Sequence, residues 1–234
     1  MVLTGALVNG LCIAVGTGLG LFFTKIPERF KETVMNGIGL AVLLIGLQMA
    51  FETENIVIVL LSLLLGGLIG EAASLEEKLQ STGRWLEEKF SRPGQETGIA
   101  QGFITASLIF VIGALAVLGA LDSGLRQDHE VLITKGIIDG FVALVLTSTL
   151  GFGVLFSVVP VVLYEGGIAL LATQINAWVP EAILDQFIVE MTAAGGLLIT
   201  AIGLNMLNIT KIRTANLLPS LLMVGVILWV YQWF

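Results

Sequence analysis

One apolar segment recurs in this chain. VMNGIGLAVLLIGLQMAFETENIVIVLLSLLLGG, from Val34, is echoed by MTAAGGLLITAIGLNMLNITKIRTANLLPSLLMVG, from Met191. Ile45-Gly46-Leu47-Gln48-Met49 aligns with Ile202-Gly203-Leu204-Asn205-Met206, and Ser62-Leu63-Leu64 with Ser220-Leu221-Leu222. Upstream, Asn9 aligns with Glu165, and Pro27-Glu28 with Pro180-Glu181. The register drifts little over three hydrophobic segments, as expected of a duplication. Two copies pointing opposite ways in a bilayer are the architecture of many secondary transporters.

The bilayer enters through composition. Of 234 residues, 56% are hydrophobic and 12% are charged, whereas soluble domains carry roughly 25% charge. This is the composition of an integral membrane protein. The net charge of −7 comes mainly from loops and helix ends, and no basic cluster points to nucleic acid. The single cysteine, Cys12, and single histidine, His129, exclude a Cys/His metal cluster and an intrachain disulfide. The stretch after Met1 lacks a basic n-region and a small-residue cleavage site, and is expected to be the first membrane helix.

Apolar runs predict eight spans, at about 3–24, 33–51, 56–73, 98–121, 136–157, 160–177, 189–208 and 215–234. Loop charges test the count. Lys25, Arg29, Lys31, Lys78, Arg84, Lys89, Arg92, Lys211 and Arg213 fall on one side, and only Arg126 and Lys135 on the other. This positive-inside bias puts both termini outside. It weakens when the short sixth span is removed. The charges also differ between the copies: KIPERFKE is basic and WVPEAILDQ is not, while NITKIRTAN is basic and AFETEN is not.

The expected fold is therefore all-α and polytopic, about eight transmembrane helices in a single domain over residues 1–234. Repeat A covers 1–73 and inverted repeat B covers 159–234. Between them lie two paired spans, 98–158, because Gly98–Phe103 resembles Gly136–Phe141. Residues 74–97 hold a cytoplasmic connector. In it, Leu75, Leu79, Leu86 and Phe90 recur at helical spacing, as in an interfacial amphipathic helix, before Arg92-Pro93-Gly94 breaks it.

A polar residue precedes glycine near the start of four spans: Asn9-Gly10, Gln101-Gly102, Asp139-Gly140 and Glu165-Gly166. Span direction places Asn9 and Asp139 in the outer half of the bilayer and Gln101 and Glu165 in the inner half. Asp139 and Glu165 are the carboxylates furthest inside the spans. With no basic residue expected beside them, they face water, bind a cation, take a proton, or sit as interfacial acids in the headgroup zone. Thr147-Ser148-Thr149-Leu150-Gly151-Phe152-Gly153 falls mid-span, where it either breaks the helix to line a cavity or packs it tightly. Gly16-Thr17-Gly18-Leu19-Gly20 offers the same choice in span one. Gln48 and Asn205 are expected to bond between helices. Candidate solute- or ion-binding residues are thus Asn9, Gln101, Asp139, Thr147, Ser148, Thr149, Gly151, Gly153, Glu165 and Gly166.

The stretch LITKGIIDGFVALVLTSTLGFGVLFSVVPVVLYEGGIALLA, with the opening TGALVNGLCIAVGTGLGLFFTKIPERFKETVMNGIGLAVLLIGLQMA, resembles the YdfK/YqgA-like family of bacterial multi-pass membrane proteins of unknown function. The resemblance covers essentially the whole chain and implies the bacterial cytoplasmic membrane and a compact multi-helix fold. It implies no substrate.

The expected function is a secondary transporter or exporter of a small solute by alternating access, coupled to an ion or proton if Asp139 and Glu165 carry one. A passive channel, or a non-transporting scaffold or sensor acting through the interfacial helix, is the alternative. No Walker loop, HExxH motif or nucleophile constellation suggests an enzyme, and no cofactor or metal is expected. The partners expected are the lipid bilayer and a small solute or ion, without nucleic acid. Small-residue spacing such as Gly66 and Gly70 allows a homo-oligomer.

Overall fold

The computed structural model describes residues 1–23, 28–91, 98–179 and 181–231. The described residues are almost wholly helical, as hydrocarbon demands of a backbone whose polar groups must pair internally. In order they form α1 (Thr4–Gly20), α2 (Glu28–Ala50), α3 (Ile56–Ala72), α4 (Leu75–Phe90), α5 (Ile99–Val111), α6 (Ala114–Leu125), α7 (Glu130–Leu150), α8 (Val158–Trp178), α9 (Glu181–Met206) and α10 (Pro219–Tyr231). Short 3-10 segments cover Leu21–Phe23, Gly151–Ser157 and Thr214–Leu217. Five helices are long and apolar enough to cross a membrane, or up to seven if two bent pairs each count as one span.

The chain divides into two compact units. The first contains residues 1–35, 80–111 and 115–175. Here α1 and α7 run parallel, held by small residues. Gly5 lies against Leu132, Gly136 against Asn9, Gly16 against Gly140, and Gly20 against Leu144 and Thr147. A methyl group on Gly16 would overlap the Gly140 carbonyl, so this seam requires glycine. The glycines of span one thus pack the helix and leave it unbroken.

Span five does break, within TSTLGFG. α7 ends at Leu150, and Gly151 (φ 74, ψ −159) turns the chain through a conformation costly for any side chain. The 3-10 segment then climbs back beside α7 and leads into α8. α8 runs antiparallel to α1, with Val158 and Val162 at Gly10 and Gly166 at Leu3. A second break went unforeseen. Span four is α5 plus α6, bent by 64° at Ile112-Gly113, where Gly113 has φ +146. α5 is antiparallel to α7: Gly98 and Gly102 meet Leu150, while the Phe110 carbonyl meets Lys135. Gly113 lies as far beyond Gly98 as Gly151 lies beyond Gly136, so the two breaks share a register.

The second unit contains residues 36–79, 112–114 and 176–234. α2 and α9 cross antiparallel with reciprocal contacts: Gly46 on Thr200 and Gly203 on Leu43, then Gly196 on Met49 and Ala50 and Gly39 on Met206 and Leu207. α3 and α10 are also antiparallel, with Gly66 at Ser220 and Gly70 at Asn216. Buried Glu190 accepts from the backbone N–H groups of Glu54 (3.0 Å) and Asn55 (2.7 Å) and from Thr53 Oγ1 (2.6 Å), closing the α3 N-terminus. Asn216 accepts from Glu76 N–H and donates to Glu71, while Glu76 accepts from Ala215 N–H. Asn205 closes its own loop, accepting from Ile212 N–H and Thr210 and donating to the Ile212 carbonyl. Gln48 is exposed, so neither residue makes the interhelical bond expected of it.

α4 is a helix with Glu76 and Glu77 in its first turn and Lys89 in its last, as the macrodipole favours. Gly83 packs on Ala100, Leu86 is buried, and the Phe90 ring meets that of Phe156 at 4.9 Å, tilted by 47°. Trp85 and Phe90 remain more than half exposed. Arg92-Pro93-Gly94 lies outside the described residues.

Candidate functional site

Asn9, Asp139 and Glu165 meet inside the first unit. Asn9 and Glu165 are fully buried and Asp139 is 7% exposed. Asn9 Nδ2 donates to Glu165 Oε1 at 2.7 Å and to Asp139 Oδ2 at 3.1 Å. Lys135, 5% exposed, completes the group. Its ammonium pairs with Asp139 one helical turn along, lies 3.2 Å from Glu165 Oε1, and donates to the Phe110 carbonyl at 2.9 Å.

Each side chain is positioned by a local feature. Gly136 lets α1 approach α7 at the level of Asn9. Lys135 and Asp139 share a helix face through i,i+4 spacing. The break at Gly113 ends α5, so the Phe110 carbonyl lies in a last turn, where helix carbonyls lack intrahelical donors and carry partial negative charge. Lys135 supplies donor and charge together.

Two sequence expectations are corrected here. Lys135 was placed in a loop, and no cation was expected beside the carboxylates. α7 starts at Glu130, so Lys135 lies in its second turn and is buried. The signal was present in Lys135-Gly136-Ile137-Ile138-Asp139, an i,i+4 pair in an apolar frame. Glu165 was expected in the inner half, apart from Asn9 and Asp139. The 3-10 return from Gly151 consumes seven residues before α8 begins, which carries Glu165 to the level of the other two.

The remaining candidates lie elsewhere. Gln101 is exposed near the start of α5. Thr147, Ser148, Thr149, Gly151 and Gly153 lie at the far end of α7, where Ser148 and Thr149 donate back to the Val145 and Leu146 carbonyls. Gly153 packs against the Ile99 backbone, and Gly166 faces the Leu3 side chain. No group of three or more His, Cys, Asp or Glu residues could hold a metal ion among the described residues.

Asn9 Oδ1 and Glu165 Oε2 are buried without a hydrogen-bond partner among the described residues. Two carboxylates and one ammonium leave the cluster one positive charge short. Desolvated charge of that kind is costly to leave unbalanced, so the arrangement suits binding a single positive charge.

Helices with apolar exteriors around a buried ionisable cluster define a polytopic helical membrane protein with a polar site among its packed helices. The chain belongs to the family described as protein of unknown function (DUF554), whose model matches residues 4–229. It is 34% identical over 235 residues to the uncharacterized membrane protein YdfK of Bacillus subtilis (strain 168), covering 98% of this chain and 97% of that protein. It is 29% identical over 224 residues to the uncharacterized protein YqgA of Escherichia coli (strain K12), covering 94% and 93% respectively. No solved structure matches.

Proposed function

We propose that this protein is a secondary transporter of a small solute in the bacterial cytoplasmic membrane, not an enzyme, and that it works by alternating access. It crosses the bilayer eight times as one domain, with repeat A at 1–73, repeat B at 159–234 in inverted orientation, and both termini outside. Residues 98–158 form the paired centre and residues 74–97 the cytoplasmic connector.

The observation that carries this reading is the packing of the repeat partners. α1 with α8, α2 with α9, and α3 with α10 each touch and run antiparallel. An inverted duplication about an axis in the membrane plane makes equivalent helices run antiparallel, which supports this reading. Asn9 and Glu165, partners in the alignment, hydrogen-bond to each other. Equivalent residues meet only near the axis relating the copies, so this reading sets the polar cluster at that axis, where inverted-repeat transporters hold their binding sites. The length of one segment supports the span count. Glu130–Ala177 is one apolar stretch of 48 residues. Straight, it would reach about 70 Å, against a hydrocarbon core of about 30 Å. Its turn at Gly151 supports reading it as two crossings.

Purified protein in liposomes, with an imposed pH or sodium gradient and a broad solute panel, tests the proposal by solid-supported-membrane electrophysiology. Transient currents for one solute class are expected. Large unitary conductance in planar bilayers would instead identify a channel, and silence in both assays would point to a scaffold.

A further inference from the structure

We propose that the Asn9–Lys135–Asp139–Glu165 cluster binds one exchangeable proton, seated on Glu165. Resting on the transport reading above, this makes the proton the coupling ion.

Charge counting gives the stoichiometry. Lys135 balances one carboxylate, and Asp139 holds it by the i,i+4 pair. The second carboxylate, on fully buried Glu165, has Oε1 engaged by Asn9 and approached by Lys135, while Oε2 has no partner among the described residues. Oε2 is the atom that takes the proton. The step is a plain proton transfer from hydronium to carboxylate, leaving water, with no other bond changed.

Around Glu165, α7 presents Lys135 and Asp139, α1 presents Asn9 with Cys12 one turn on, α5 presents the Phe110 carbonyl, and Tyr164 adjoins on α8. α6 packs on α8 with Gly124 at Ala169, and its one carboxylate, Asp122, pairs with Arg126. Asn9 serves both protonation states. Its amide N–H bonds suit ionised carboxylates, and turned over, its Oδ1 accepts from a protonated one. The packing favours a proton over a metal ion. A methyl group on Gly136 would lie 2.9 Å from Asn9 Cα, so the helices nearly touch. Three oxygens without a hydrogen bond among the described residues, Asn9 Oδ1, Glu165 Oε2 and Asp139 Oδ1, are too few to replace an alkali ion's hydration shell.

The same unit supplies a route. In both units, buried and part-buried hydroxyls usually donate to a carbonyl three or four residues back, as Ser62, Ser148, Ser157, Thr192 and Thr200 do. Thr17, Ser107 and Thr147 find no partner among the described residues. All three belong to the first unit, and a fourth such hydroxyl, Ser220, to the second. Ser107 lies one turn from Phe110, and Thr17 and Thr147 lie towards the Gly151 end. A hydroxyl both donates and accepts, so free hydroxyls can pass a proton on by rotating.

The test is infrared difference spectroscopy of the carboxylic-acid carbonyl band, on protein in lipid with choline as the only bulk cation. Stepping from neutral to alkaline pH should remove one band in the wild-type protein. Charge counting sets the variants. E165Q and D139N should each show none, because Lys135 then balances the one remaining carboxylate. K135M should show two, and the K135M/E165Q pair one. Thr147→Val should keep the band but slow its hydrogen–deuterium exchange.

A band surviving in E165Q, or absent from wild type, overturns the proposal. Loss of the band when sodium replaces choline reassigns the site to an alkali cation. An exchange rate unchanged in Thr147→Val removes the route. The band following this pattern in a protein that moves no solute would sink the transport reading and keep the proton site. Solute uptake undiminished in E165Q would do the reverse for the coupling role.

Discussion

Asn9 shows how much one neutral side chain can organise. Its amide donates to two carboxylates in a fully buried setting. An unmade hydrogen bond to a buried polar group costs about 1–3 kcal/mol, and more when the group is charged. Asn9→Leu should therefore lower stability by about 2 kcal/mol or more, read as a shifted midpoint in mixed-micelle denaturation. A midpoint within error of wild type would remove Asn9 from the structural core of the cluster. Asn9, Asp139 and Glu165 were legible in the sequence because polar residues in apolar runs are rare. Lys135 was not, because loop-charge counting assigns a lysine near a span end to water. Only a partner can hold it inside, and that partner lies on another helix.

At the scale of elements, two glycines, Gly113 and Gly151, set where helices break. Gly151 holds a backbone conformation that costs a side chain about 1–3 kcal/mol. Gly151→Ala should lower the thermal midpoint of the purified protein, while Gly167→Ala, whose added methyl group meets nothing within 4 Å, should not. Equal effects would mean that the turn tolerates a side chain. The seam between α1 and α7 makes a sharper case. Gly16→Val would drive a branched side chain into the Gly140 carbonyl, so overpacking of about 3 kcal/mol or more is expected, seen as aggregation on size-exclusion chromatography. Capping is milder: Glu190→Ala frees the N–H groups of Glu54 and Asn55 and should cost about 1 kcal/mol. The TSTLGFG break could be anticipated from hydroxyls and glycines in mid-span. The Gly113 break could not, because Val111-Ile112-Gly113-Ala114 reads as an ordinary apolar run. Its bend is stabilised by Lys135 on the freed Phe110 carbonyl, a contact far away in sequence.

For the whole molecule, the decisive measurement is topology. With Cys12 replaced by serine, Gln127→Cys lies in the turn between α6 and α7, and Arg84→Cys lies in α4. Positive-inside loops predict that an impermeant maleimide labels Gln127→Cys in intact cells and Arg84→Cys only after permeabilisation. The opposite pattern would invert the whole arrangement, and labelling of both in intact cells would remove the eight-span count. The sequence alone determined the membrane environment and the helical class. These follow from composition and periodicity, which act locally through the cost of burying backbone polar groups in hydrocarbon. Only the tertiary structure decided that Asn9 and Glu165 touch, that Lys135 lies between two carboxylates, and that the cluster is short of one positive charge. Those facts depend on which helix faces are pressed together, and side chains 130 and 156 positions apart meet only when packing brings them there.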